Sequence, residues 1–158
     1  MADNFIDEMQ EWRILVGTTI LSFGEIELIT LKCLAHIPKD EIYKSVSTLP
    51  FGRRIDLVVE ILNSRESKKN KEIINFIEKL KKAKKLSEYR NVLAHNPLMA
   101  DIYMDNISGD IKVEQIISSS KNKDKSIDLA SLKEIAAEVE SLASDLYMAI
   151  GKIIEAEQ

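Results

Sequence analysis

The segment Glu88-Tyr89-Arg90-Asn91-Val92-Leu93-Ala94-His95-Asn96-Pro97 ends a long helical stretch. Pro97 disfavours helical geometry at the residue before it, so a helix entering this segment stops near His95. Upstream, Ile73, Ile77, Leu80, Ala83 and Leu86 recur at three- and four-residue spacing, which predicts a helix over about 71–95. The next position on that apolar stripe is Arg90, then Leu93. A charge on a buried stripe is costly unless something meets it. Arg90 therefore calls for a carboxylate, a subunit boundary or an anionic ligand.

The flanking sequence completes an all-α expectation with one exception. Phe5, Met9, Trp12, Val16, Phe23, Ile26 and Thr30 predict a first helix over about 4–35, in which Gly17 and Gly24 mark a bend or a close helix contact. A second helical region covers about 40–63, interrupted near Thr48-Leu49-Pro50, with Ile55, Val58, Val59 and Leu62 inward. Ser64 to Asn70 reads as a polar loop. Residues 100–117 alternate differently: Ile102 and Met104, then the turn residues Asn106-Ile107-Ser108-Gly109-Asp110, then Ile111 and Val113, which predict a β-hairpin. Ser118 to Ser126 is polar and lysine-rich. A last helix over about 128–156 carries Leu132, Ala136, Val139, Leu146, Ile150 and Ile153, with Ser131 and Glu134 spaced as a capping box. The expected architecture is a single domain over 1–158, an up-and-down four-helix bundle with a hairpin inserted before the last helix.

The 158 residues carry a formal net charge of −4, which gives no general reason to expect nucleic-acid binding. The charge is unevenly spread. From Arg65 to Arg90 there are ten basic residues against four acidic ones, a local balance of +6, whereas Asp128 to Gln158 holds two against seven, or −5. A basic helix leading into the Arg-Asn-His segment attracts anions locally. The single cysteine, Cys33, excludes an intramolecular disulfide and fits a cytoplasmic, reducing compartment. The first residues, acidic and mixed, do not resemble a signal peptide, and no membrane association is expected. A zinc site would need more Cys and His than one Cys and two His, and no Gly-rich phosphate loop is present, so no metal or cofactor is expected.

Arg90, Asn91 and His95 supply the parts of a metal-free phosphoryl-transfer site. RNA is cut without metal when its 2′-OH attacks the adjacent phosphate, a side chain moves protons and a cation stabilises the crowded phosphate. Histidine titrates near neutrality and can move the proton. Arginine makes bidentate contacts to phosphate oxygens. Asn91 and His95 are four apart and share a helix face, so Asn91 can orient the imidazole or touch substrate. Arg90 and His95 are five apart, about 140° around an ideal helix, so a single chain converges them poorly unless the last turn distorts; pairing two chains lets the Arg of one face the His of the other. Lys81, Lys82, Lys84 and Lys85 would guide RNA to the site by phosphate contacts. The plain alternative is a helix end with a capping His and an Arg bound to a core carboxylate such as Glu27.

Arg90-Asn91-x-x-x-His95, late in the third long helix of a small helical bundle, resembles the HEPN superfamily (higher eukaryote and prokaryote nucleotide-binding domains). Its signature is Arg, four to six residues, then His, with a polar residue favoured after the Arg, as Asn91 is here. Phe23-Gly24-Glu25-Ile26-Glu27 also looks like the first helix of some members. The resemblance implies a metal-independent endoribonuclease of toxin–antitoxin or phage-defence type. Its active site would form in a two-fold homodimer from Arg90, Asn91 and His95, with RNA as substrate and an antitoxin or defence protein as partner. A non-catalytic dimerisation module binding nucleotide, RNA or protein is the other function found in such domains. Toxins silenced by a partner nucleotidyltransferase often carry Tyr two residues after the His; Pro97 stands there in this chain.

Overall fold

A computed structural model describes residues 2–38, 43–65, 70–119 and 126–157, with residues 2–5 and 43 described by their backbone alone. It is mostly helical, with a small three-stranded antiparallel sheet. The helices are α1 (Ala2–His36), α2 (Tyr43–Val46), α3 (Phe51–Ser64), α4 (Lys71–His95) and α5 (Leu129–Glu157). The strands are β1 (Leu98–Met104), β2 (Ile111–Ser118) and β3 (Ser126–Asp128), in spatial order β1-β2-β3.

The four long helices contact one another pairwise: α1 with α5, α5 with α4, α4 with α3, and α3 with α1. Their inward faces form one apolar core. Trp12, Phe23, Ile26 and Ile29 of α1 meet Ile55, Val58 and Leu62 of α3, Ile73, Phe76 and Leu80 of α4, and Leu132, Val139 and Leu146 of α5. Phe23 and Phe51 stack edge to face at 6.1 Å between centroids, joining α1 to the start of α3.

The predicted helix over 71–95 is α4 itself. Asn70 caps its start by accepting from the Glu72 amide at 2.8 Å. At its end Asn96 is extended (φ −126°, ψ 143°), as the following proline dictates, and its side-chain amide donates to the Val92 carbonyl at 2.8 Å. The second helical region divides into α2 and α3 on either side of residues 47–50, and its expected start at 40–42 lies outside the described residues. Most of the two polar loops expected before α4 and α5 also lies outside them.

The all-α expectation is corrected by the sheet. β1 and β2 form the predicted hairpin, with Leu98 opposite Ile117 and Met104 opposite Ile111. Gly109 takes the left-handed conformation (φ 75°) that the turn needs. β3 then pairs with β2, Ile127 opposite Ile117, and both side chains are buried. Three residues are too few to show the alternation by which strands are recognised. The expected capping box at Ser131 is also corrected. α5 begins at Leu129, and Asp128 accepts from the Ser131 amide at 2.7 Å, so the cap lies three residues earlier than the sequence pattern indicated.

Candidate functional site

The site residues come from three helices. α1 contributes Glu27, α3 contributes Arg54, and the C-terminal end of α4 contributes Arg90, Asn91 and His95. The Glu27 carboxylate is gripped at both oxygens. Arg90 Nη1 lies 3.0 Å from Oε1, and Arg54 Nη2 lies 3.0 Å from Oε2. Arg54 also donates to the Ser47 carbonyl at 3.3 Å, while its Nε is buried with no partner. The Arg54 side chain is 9% exposed, Glu27 24% and Arg90 34%. Arg54 is thus a buried cation that needs Glu27, and Arg90 is a half-buried one whose guanidinium reaches both the carboxylate and solvent. Two guanidinium groups against one carboxylate leave this cluster with a net positive charge.

Of the three partners Arg90 called for, a carboxylate is present, and it is the Glu27 named in the plain alternative. Arg54 was not anticipated. Its signal is the same as that of Arg90: it falls on the apolar stripe that runs through Phe51, Ile55, Val58 and Leu62.

α4 is unbroken through His95, so Arg90 and His95 stay about 140° apart around the helix. Arg90 turns inward to α1, and Asn91 and His95 are exposed. Neither Asn91 nor His95 makes a side-chain hydrogen bond or ion pair to another described residue. One chain brings Arg90 to Glu27 and Arg54, and does not bring it to His95.

The four lysines divide. Lys82 pairs with Glu138 of α5 at 2.6 Å, and Lys84 with Asp56 of α3 at 2.6 Å. Lys81 and Lys85 are exposed and have no ion pair to a described residue. By helical geometry Lys81 lies within about 40° of the His95 direction, Lys84 within about 20° and Lys85 within about 80°. The basic face of α4 therefore runs toward His95 and away from Arg90.

Comparison with family models, curated proteins and solved structures finds no match. Function rests on the geometry alone. Among the described residues, no group of three or more His, Cys, Asp or Glu side chains is placed to hold a metal ion. A shallow groove lined by Phe76, Lys79, Asp145 and Lys152 lies toward the other end of α4, where Lys79 is paired with Asp145 at 2.7 Å. Cys33 is fully buried, and burial pushes its thiol up to about 12, which removes it as a nucleophile.

Proposed function

We propose that this chain is a homodimeric, metal-independent endoribonuclease, a helical bundle of HEPN type acting as a toxin or antiviral-defence effector. The observation that carries the reading is the arrangement at the end of α4. One cation, Arg90, is fixed in place by Glu27, while the amide of Asn91 beside it in sequence and the imidazole of His95 a turn further on are exposed and uncommitted among the described residues. An unbroken α4 keeps Arg90 and His95 of one chain apart, so the reacting groups come from two copies.

In the reaction the 2′-oxygen of RNA attacks the adjacent phosphorus and the bond to the 5′-oxygen breaks. The products are a 2′,3′-cyclic phosphate and a 5′-OH end. His95 moves the proton, as general acid for the departing 5′-oxygen or, in the other copy, as base for the 2′-OH. Arg90 stabilises the charge that builds on the phosphate, and its grip on Glu27 fixes its direction without reorganisation at the moment of reaction. Asn91 shares the face of His95 and orients imidazole or substrate.

The same Arg90–Glu27 pair favours a second reading, a non-catalytic dimerising module in which Arg90 only ties α4 to α1. Incubating single-stranded RNA with the protein in EDTA decides between them. Cleavage to 2′,3′-cyclic phosphate ends, abolished in His95→Ala and slowed less in Asn91→Ala, is expected. Cleavage that needs added divalent metal, or a fully active His95→Ala protein, refutes the mechanism.

A further inference from the structure

α1 has two apolar faces, and only one is used. Its core face holds Phe23, Ile26 and Ile29, each essentially inaccessible. The opposite face carries Ile14, Gly17, Leu21, Gly24, Leu28 and Leu31 at alternating spacings of three and four, the a and d positions of a heptad pattern. Ile14 is 60% exposed, Leu21 72% and Leu28 51%. An 18-residue window within Ile6–His36 is apolar enough to pass for a membrane span, yet only 33% of that window is buried. A helix with apolar stripes on two faces is normally covered on both. Gly17 and Gly24 serve no contact among the described residues, since no atom beyond the helix's own backbone lies within 4 Å of a Cβ built on either.

We infer that this seam is the surface through which two copies of the chain associate, α1 against α1 in antiparallel order. The residues select that partner and that order. About a two-fold axis passing between Ser22 and Phe23, Leu21 of one copy lies opposite Gly24 of the other, Leu28 opposite Gly17, and Ile14 opposite Leu31. Every glycine notch receives a leucine. A parallel pair would set glycine against glycine and leave voids that cost stability. Charge agrees with the same order. Glu11 and Lys32 occupy equivalent flanking positions beside α5, where Glu11 reaches Lys133 at 2.8 Å and Lys32 sits 5.5 Å over the Tyr147 ring. In the antiparallel pair Glu11 of one copy faces Lys32 of the other. The other flank carries Glu27. Both Glu27–Arg90 clusters then lie on one side of the pair, each about 7 Å along the helix from the axis. The inference rests on the proposed dimer and supplies its contact surface.

Sedimentation equilibrium of the full chain at micromolar concentration tests it. The wild type should be a dimer, and Gly17→Gln with Gly24→Gln should raise the dissociation constant roughly tenfold or more by filling both notches. The added side chains meet open space in the single chain, so helix content by circular dichroism should not fall. Mild oxidation should cross-link a Leu21→Cys, Gly24→Cys double variant and not Leu21→Cys alone; equal yields overturn the antiparallel order. A wild type that is monomeric in buffer, or that is monomeric and binds phosphatidylcholine vesicles, overturns the association, as does a glutamine variant that dimerises normally. RNA cleavage is scored separately. A chain that dimerises through the seam and cuts no RNA removes the ribonuclease reading alone. One that cuts RNA while the glutamine variant stays dimeric removes the seam alone.

Discussion

Replacing Glu27 with Gln keeps the side chain's shape and removes its charge. Its two arginines respond differently. Arg90 is one-third exposed and can turn its guanidinium to water. Arg54 is nearly buried, its Nε is already without a partner, and only the Ser47 carbonyl at 3.3 Å remains. Stripping the partner from a fully buried ion costs about 3–5 kcal/mol. With Glu27 a quarter exposed, the expected loss for Glu27→Gln is smaller, about 2–3 kcal/mol. For a chain of this length that lowers Tm by roughly 4–10 °C. Arg90→Ala leaves the Glu27–Arg54 pair intact and should cost under about 1 kcal/mol. The assay is urea denaturation followed by far-ultraviolet circular dichroism, with all variants at one chain concentration because association links stability to concentration. A loss below about 0.5 kcal/mol for Glu27→Gln, or equal losses for Glu27→Gln and Arg90→Ala, would refute the idea that Arg54 is the cation the carboxylate sustains.

Further outcomes are expected elsewhere in the chain. Lys81→Gln with Lys85→Gln should weaken RNA binding and lower the slope of log Kd against log salt by about 1.4, two phosphate contacts at about 0.7 each. Lys82→Gln with Lys84→Gln should change that slope less, because those ammonium groups are already held by Glu138 and Asp56. Asp128→Ala should cost about 1 kcal/mol through loss of the α5 cap. The Ser131 backbone amide, then its hydroxyl, holds the Asp128 carboxyl below the usual carboxylate range. Its contribution is therefore full above about pH 4 and is lost as pH falls through the lower folded value, so wild type and Asp128→Ala should converge in acid urea titrations. Cys33, with its thiol pushed up to about 12 by burial, should resist a thiol reagent at pH 8 in the native protein and react completely in urea.

Sequence patterns disclosed elements according to their length and punctuation. α4 carries five stripe residues between an Asn cap and a proline stop, so both ends were legible. The hairpin was legible from Ser108-Gly109 between two alternating runs. β3 was not, because Ile127 is a lone apolar residue among polar ones and its strand exists only through pairing with Ile117. At the site, the position of Arg90 on its stripe called for an anion, and Glu27 answers it. Arg54 escapes notice where the inward stripe is read from its apolar members alone, Ile55, Val58, Val59 and Leu62, which follow the adjacent pair Arg53 and Arg54. Only the spacing to Ile55 and Val58 shows that one of the two must face inward. The second face of α1 was half legible, since Gly17 and Gly24 pointed to a bend or a close contact and neither has a neighbouring atom within 4 Å of a built Cβ.

The hairpin reaches the core only at its base. Ile117 is buried and Leu98 half-buried, while Ile102, Met104, Ile111 and Val113 are all exposed, and β3 supports β2 only from Ile116 to Ser118. Outward of Gln115, two strands stand among the described residues without a third strand paired to them, a ribbon that is marginally stable by itself. Its amides should therefore lose exchange protection progressively from Ile117 outward to Ile111, on a scale set by local fraying rather than by global unfolding. The ribbon is in effect an appendage of adjustable length. Trimming Asp101 to Val113 to a short turn, or grafting a foreign loop at Ile107, should leave the melting of the helical core unchanged and makes this the natural place to attach a reporter.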